Sequence, residues 1–132
     1  MTDANSVRLW PTLSFHDVDL MIAWLTAIGF REHATYRDES EPPLVVHAEM
    51  LWPGGGGIMF GSHGVGADDL GLRPGAGSAY LVTDDPDAVF AAAIAAGGAE
   101  VRPMTDQDYG GRGGSVTDPE GNHWSFGDYQ PS

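Results

Sequence analysis

The sequence predicts an α+β fold made of two tandem βαβββ units, each a strand, a helix and three further strands. The main observation is an internal repeat, because the apolar, glycine-terminated segment 17–29 is echoed by 85–97. Each copy also has a short apolar run before this segment and, later, a glycine-rich turn followed by a related pentapeptide at 57–61 or 123–127. One copy of about sixty residues is too small for a comfortable core, so the two units are expected to share one.

The chain of 132 residues is expected to be a single domain over 1–132, with unit one at about 7–62, a linker at 63–76 and unit two at about 77–129. The linker is rich in glycine. Alternating and apolar runs predict strands near 8–15, 30–37, 44–52 and 57–62 in unit one. The corresponding strands of unit two are expected near 77–83, 98–103, 113–117 and 123–128.

Both helices carry recognisable start and stop signals. The first is expected to begin after Asp17, whose carboxylate can accept backbone N–H bonds, and to end at Gly29. The second is expected to place Pro86 at its first position, where the missing N–H costs nothing, and to end at Gly97. Either of the two aspartates before Pro86 can cap it. The apolar stripe of each helix predicts packing against a sheet.

The composition argues against several classes of partner. A formal charge of −13 disfavours binding to nucleic acid or to an anionic membrane and would attract a cationic ligand, although the same acidity can simply keep the protein soluble. The absence of cysteine excludes disulfides, thiolate nucleophiles and zinc–sulfur sites, and fits a reducing compartment. No segment has the length and apolarity of a signal sequence or a membrane span. The chain is therefore expected to be soluble and cytoplasmic.

One motif resembles a known family. The turn 118–122, Asp-Pro-Glu-Gly-Asn, leads into the aromatic strand His-Trp-Ser-Phe, and the first helix ends in Ala-Ile-Gly-Phe at 27–30. Together with the paired units, these features resemble the glyoxalase, bleomycin-resistance and extradiol-dioxygenase superfamily, also called the vicinal oxygen chelate family. The resemblance covers nearly the whole chain. It implies two units whose sheets curve around a cavity, commonly in a dimer, and the unpaired edges of two small sheets also favour a homodimer.

Metal-dependent members of this family place one metal ligand on each of four strands. Carried over by spacing from the helix caps, the first strand of each unit offers Trp10 and Ser78 at these positions. Matching the two pentapeptides places Met59 and Ser125 at the others. Divalent metals in such sites are held by imidazole and carboxylate, so these side chains predict a chain without metal or other cofactor.

The third strand of unit one carries the clearest polar pair. Alternation predicts that Val46, Ala48, Met50 and Trp52 face the helix, whereas His47 and Glu49 point into the cavity with Val45 and Leu51. The pair can be a general base with its orienting carboxylate, two metal ligands, a ligand-binding pair, or simply two side chains satisfied by their neighbours. The other four histidines are interpreted as solvated or beside turns: His16, His33, His63 and His123.

Aromatic placement favours binding of a planar molecule. Alternation puts Trp10 and Tyr80 on the cavity side, and stacking on such rings stabilises flat ligands. The remaining tryptophans, Trp24, Trp52 and Trp124, are interpreted as core. A second glycine-rich loop at 105–114 contains Tyr109 and Arg112, and is either a mobile flap or an ordinary connection.

The resulting hypothesis is a metal-independent small-molecule binding protein that sequesters a toxic natural product, aromatic or cationic, as bleomycin-resistance proteins do. No catalytic residue is assigned. The alternative is a lyase, isomerase or dioxygenase with a relocated site at His47 and Glu49. The candidate ligand-binding residues are Trp10, Thr12, Ser14, His47, Glu49, Met59, Ser78, Tyr80, Tyr109, Arg112 and Ser125.

Overall fold

The computed structural model describes residues 7–65, 71–108 and 110–131. The first unit contains β1 (Thr12–Phe15), α1 (Val18–Ile28), β2 (Arg31–Arg37), β3 (Val45–Leu51) and β4 (Gly57–Ser62). The second contains β5 (Ser78–Val82), α2 (Pro86–Ala95), β6 (Ala99–Asp106), β7 (Arg112–Thr117) and β8 (His123–Gly127). The predicted βαβββ order is confirmed in both units.

Each unit forms its own four-stranded sheet. The strand order is β1-β4-β3-β2 in the first sheet and β5-β8-β7-β6 in the second. In both sheets the first and last strands of the unit pair in parallel, and the other pairs are antiparallel. This identical topology is what a duplicated sequence predicts. It leaves β1 and β5 as edge strands, each paired on one side only.

The helix ends follow the sequence signals. The carboxylate of Asp17 accepts a hydrogen bond from the Leu20 N–H at 3.1 Å, and that of Asp85 accepts one from Ala88 at 3.2 Å, so Asp85 is the cap of α2. Gly29 ends α1 at a φ of 128°, a left-handed conformation that side chains disfavour.

The two units share one hydrophobic core. The Trp24 indole of α1 donates a hydrogen bond to the Ala93 carbonyl of α2 at 3.1 Å, and its ring lies 6.0 Å from that of Trp124 in β8. Phe30 also contacts Trp124, with ring centroids 5.9 Å apart. Trp24 and Trp124 are fully buried, as predicted, whereas Trp52 is only partly buried and packs against Phe30. Helices therefore cover one face of each sheet, and the other face, the open face, is left to solvent.

Two predicted boundaries and one predicted side-chain orientation were wrong. β1 begins at Thr12 rather than at residue 8, and the 105–114 loop is shortened because β6 continues to Asp106 and β7 begins at Arg112. Val46 was expected on the helix-facing side, but Val45 is buried and Val46 is 40% exposed. The reason is a register shift that leaves Val46 unpaired between the Tyr36–His47 and Arg37–Val45 pairs.

Candidate functional site

A cavity of about 220 Å³ lies on the open face of the first sheet. Residues of β1 and β4 form most of the cavity wall, and among them Thr12 and Ser14 on β1 lie beside Met59 on β4. Strand pairing explains this grouping, because Thr12 is in register with Met59 and Met59 with Glu49. The cavity is lined by Thr12, Leu13, Ser14, Val46, His47, Met59, Phe60, Gly61, Ser62, Val65 and Leu72.

His47 and Glu49 share the open face, as alternation along β3 requires. The Nε2 atom of His47 lies 2.8 Å from Oε2 of Glu49, a hydrogen-bonding distance. The other carboxylate oxygen, Oε1, lies 4.0 Å from Nε2 of His33 on β2. This is too long for a hydrogen bond, so Glu49 stands between two histidines and is firmly bonded to one.

An aromatic ring extends this cluster. Tyr36, paired with His47 across β2 and β3, stacks on the imidazole with a centroid separation of 6.2 Å and an interplanar angle of 28°. The Tyr36 side chain is 61% exposed. Sequence reasoning missed both Tyr36 and His33. The alternation of β2 was the signal that could have found Tyr36, since it lies opposite His47 in an antiparallel pair.

Trp10 lies just before β1 rather than within a strand. Its indole N–H donates a hydrogen bond to the Val7 carbonyl at 3.3 Å, and its ring rests on Gly57, where a Cβ atom would be 2.7 Å from the indole. Only glycine leaves room for this ring at the start of β4. Trp10 is partly buried and does not line the 220 Å³ cavity.

Three candidates belong to the second sheet. Ser78 and Tyr80 on β5 are exposed, and the Tyr80 hydroxyl donates a hydrogen bond to the Tyr129 carbonyl at 2.8 Å. Ser125 on β8 is in register with Tyr80 and hydrogen-bonds Ser115 at 2.7 Å between the two hydroxyl oxygens. These side chains form a small polar row, separate from the first-sheet cavity.

The two candidates from the predicted 105–114 loop are not placed in the first-sheet cavity or in the polar row of the second sheet. Arg112 reaches over the helix-covered side, where its guanidinium donates to the Asp87 carboxylate of α2 at 2.9 Å and to Asp106 at 3.3 Å. The hydrogen bond with Asp87 raises the pKa of Arg112 and lowers that of Asp87. Tyr109 and part of the predicted linker, 66–70, lie outside the described residues.

A wider cleft of about 1020 Å³ lies where the two units meet, between the β3–β4 turn and the β5–α2 connection. Its walls include Phe30, Trp52 and Leu81, and Asp84 and Asp85 lie at its polar end. Of the predicted site residues that the structure describes, only Tyr80 lines this cleft. The smaller cavity is the better candidate, because four predicted site residues line it: Thr12, Ser14, His47 and Met59.

The donor atoms at the family's metal positions do not fit a metal site. Trp10, Met59, Ser78 and Ser125 supply an indole, a thioether and two hydroxyls, none of which is a usual ligand of zinc, iron or manganese in such sites. Within the described residues, no three histidine, aspartate or glutamate side chains are grouped so that they could hold a metal ion. The polar cluster on β2 and β3 is therefore interpreted through hydrogen bonding and charge.

Comparison with protein families identifies the class. The family model of the Glyoxalase/Bleomycin resistance protein/Dioxygenase superfamily matches residues 10–126. The chain belongs to this superfamily, as the Asp-Pro-Glu-Gly-Asn turn indicated. None of the helices in the described part of the chain is long and apolar enough to cross a membrane.

Solved structures share the whole fold. TioX from Micromonospora sp. ML1 superimposes with a TM-score of 0.75 at 25% identity, over 94% of this chain and 99% of that one. The bleomycin resistance determinant of transposon Tn5 gives 0.63 at 18% identity over 95% and 99%. FosX, a fosfomycin resistance protein of Listeria monocytogenes solved as a mutant with Mn(II), gives 0.65 at 15% identity over 95% and 94%. The last two show the fold alone.

Relatives by sequence are shorter matches. An uncharacterized protein of Mycobacterium bovis is 46% identical over 48 residues, which is 36% of this chain and 32% of that protein. An uncharacterized protein of Mycobacterium tuberculosis matches equally over 28% of its length. The match thus spans less than a third of each relative.

Proposed function

We propose that this chain is a metal-independent small-molecule binding protein that sequesters a toxic natural product and so protects the cell that makes or meets it. The observation that carries the proposal is the cavity on the open face of the first sheet. Its walls combine a thioether, hydroxyls and an imidazole, a mixture that suits an organic ligand. The metal positions of the family lack imidazole and carboxylate, so binding without chemistry is the simplest use of this face.

The size of the cavity favours a homodimer. Pockets for drug-sized ligands usually measure about 300–1,000 Å³, whereas the first-sheet cavity has about 220 Å³ and is lined by one sheet together with Val65 and Leu72 of the segment after β4. A second copy laid across the open face would add Ser78, Tyr80 and Ser125 as the opposite wall. The edge strands β1 and β5 offer unpaired backbone groups that such a partner can cover.

Membership of a superfamily that includes bleomycin resistance proteins supports a drug-binding role, and the absence of cysteine suits a reducing cytoplasm. The acidic charge disfavours nucleic acid and anionic membranes as partners and favours a cationic ligand.

The test uses acridine, a flat neutral fluorophore, titrated into chelator-treated protein. We expect binding that Thr12→Phe weakens at least about tenfold, because the new ring fills the cavity, whereas Thr26→Phe on the exposed side of α1 leaves it unchanged. Elemental analysis should find less than about one metal ion per ten chains. Failure of acridine to bind, binding indifferent to Thr12→Phe, or one tightly held metal per chain would each overturn the proposal.

A second candidate function is acid–base catalysis, favoured by the 2.8 Å contact between His47 and Glu49. The carboxylate can orient the imidazole as a general base for a lyase or isomerase reaction. This candidate would be supported over sequestration if the wild type converts a substrate of a superfamily enzyme, the His47→Gln variant fails to convert it, and the His123→Gln control still converts it. Acridine binding that competes with this turnover would place both at one site.

A further inference from the structure

We infer that the ligand is a planar organic cation, whose ring stacks on Tyr36 and whose positive N–H group binds the carboxylate of Glu49. The inference rests on the proposed ligand-binding function and names the chemical class of the ligand and two residues that recognise it. Tyr36 and Glu49 do not line the 220 Å³ cavity themselves, but both contact His47, which lines it. Tyr36 belongs to no position at which the superfamily places its metal ligands.

The carboxylate of Glu49 has one oxygen in use and one available. Oε2 is bonded to His47, whereas no donor among the described residues lies within hydrogen-bond distance of Oε1, because His33 is 4.0 Å away. The side chain is about one-third exposed. Oε1 is therefore placed to accept a hydrogen bond from a ligand at the open face.

Among the residues that the structure describes, the charge of Glu49 also has no permanent counter-ion. The arginine ion pairs of the described residues involve other carboxylates, with Arg37 bound to Asp19 and Arg112 to Asp87 and Asp106. Glu49 is paired only with histidines, which carry charge only when protonated. A ligand cation would supply the missing positive charge, and a net charge of −13 would draw it towards the protein.

Tyr36 provides the flat surface. Its ring is held nearly parallel to His47 and is mostly exposed, so one aromatic face is supported and the ring remains accessible. Stacking and cation–π attraction act together on a charged planar ring and only the first acts on a neutral one. An anion would meet repulsion from Glu49, and an aliphatic cation would gain the cation–π attraction of Tyr36 without the stacking.

The experiment compares 9-aminoacridine, a planar cation with N–H donors at neutral pH, with acridine, which is neutral at that pH. Wild type should bind the cation at least about tenfold more tightly. Glu49→Gln, which keeps the shape and removes the charge, should abolish this preference. Glu100→Gln on β6 changes the net charge by the same amount and should retain it. Tyr36→Ala should weaken both dyes.

Each outcome has a distinct meaning. Equal affinities for the two dyes in wild type, or a preference that survives in folded Glu49→Gln protein, would overturn the cation inference while acridine binding upheld the proposed function. Tyr36→Ala that leaves both affinities unchanged would remove the stacking surface. If neither dye binds, the proposed function and the inference fall together. Thermal melts establish that each variant is folded.

Discussion

The turn that carries the family motif makes a sharp prediction about stability, because Asp118 at its start is a buried hydrogen-bond hub. Its Oδ1 atom accepts from the backbone N–H groups of Glu120 at 2.8 Å and Asn122 at 3.1 Å. Its Oδ2 atom accepts from the Asn122 amide at 2.9 Å and from the Trp124 indole at 2.8 Å. Both oxygens are therefore used as acceptors only, and the side chain is 4% exposed.

Asp118→Asn changes only one group but cannot keep this arrangement. An amide has one oxygen and one NH₂ group, so either orientation turns a donor towards two donors. Each buried donor left without an acceptor costs about 1–3 kcal/mol, which gives roughly 2–6 kcal/mol for two. Because the Glu120 N–H is only partly buried, we expect about 3 kcal/mol. For a chain of this size the melting temperature should fall by roughly 10–15 °C.

The assay is urea unfolding at neutral pH, with thermal melts in parallel. Asp84→Asn is the matched control, since Asp84 is exposed and the same change there should cost less than about 0.5 kcal/mol. Repeating Asp118→Asn in a Trp124→Phe background removes one of the donors and should reduce its cost by about 1–2 kcal/mol. A free energy of unfolding within about 1 kcal/mol of wild type for Asp118→Asn would refute the reasoning.

Further measurements test the core, the second loop and the assembly. Trp24→Ala should lower the free energy of unfolding by about 3–5 kcal/mol because the ring is fully buried, whereas Trp10→Ala should cost much less because that ring is only partly buried. Arg112→Ala should raise the pKa of Asp87 towards its ordinary value of 3.8, as followed by NMR, and leave acridine affinity unchanged. The ion pair is present above pH 3.8 and is lost as the pH falls through the lowered pKa of Asp87. Light scattering should give 28.0 kDa, twice the chain mass of 14.0 kDa; a single-chain mass would contradict the dimer.

The sequence predicted the repeat, both helices and the βαβββ order of elements along the chain because these depend on local signals. Asp17 and Pro86 mark helix starts through chemistry confined to one turn. The bulge at Val46 could not be predicted in the same way, since it depends on a partner distant in sequence. The Val45 N–H donates to the Ser62 hydroxyl at 2.9 Å, and this contact exists only once β3 and β4 are paired.

Part of the candidate site was also predicted from the sequence, and part of it was missed. Alternation along β3 correctly placed His47 and Glu49 on one face, because both lie beyond the bulge. His33 was interpreted as solvated and its side chain is indeed 57% exposed, but it also approaches Glu49 from β2, where a register shift between Glu32 and Ala34 changes the strand pairing. A side chain that reaches a site across an irregular pair has no periodic signal in the sequence.

Contacts of different chemistry tie the two units to each other. In the second unit, the carboxylate of Glu120 reaches across the unit boundary and accepts the N–H groups of His16 and Asp17 at 2.7 and 2.6 Å, just before α1. The equivalent turn of the first unit has glycine at 54–56 and is tied to the second unit instead by the Trp52 indole, which donates to the Val82 carbonyl at 2.8 Å. Both turns thus hold the shared core together, but they do so with different chemistry.

Neither open face contributes to the shared core, so the residues on the two open faces can differ between the units. The first sheet carries an imidazole, a carboxylate and an exposed aromatic ring at neighbouring positions of β2 and β3. The second carries small hydroxyls, with Ser115 bonded to Ser125. A ligand that the first sheet recognises by charge and stacking needs only a compact polar wall on its other side. Two copies of this chain would form two such sites, each with the first sheet of one copy facing the second sheet of the other. The proposed homodimer would therefore use the asymmetry between the repeats, with one wall of each binding site from each sheet.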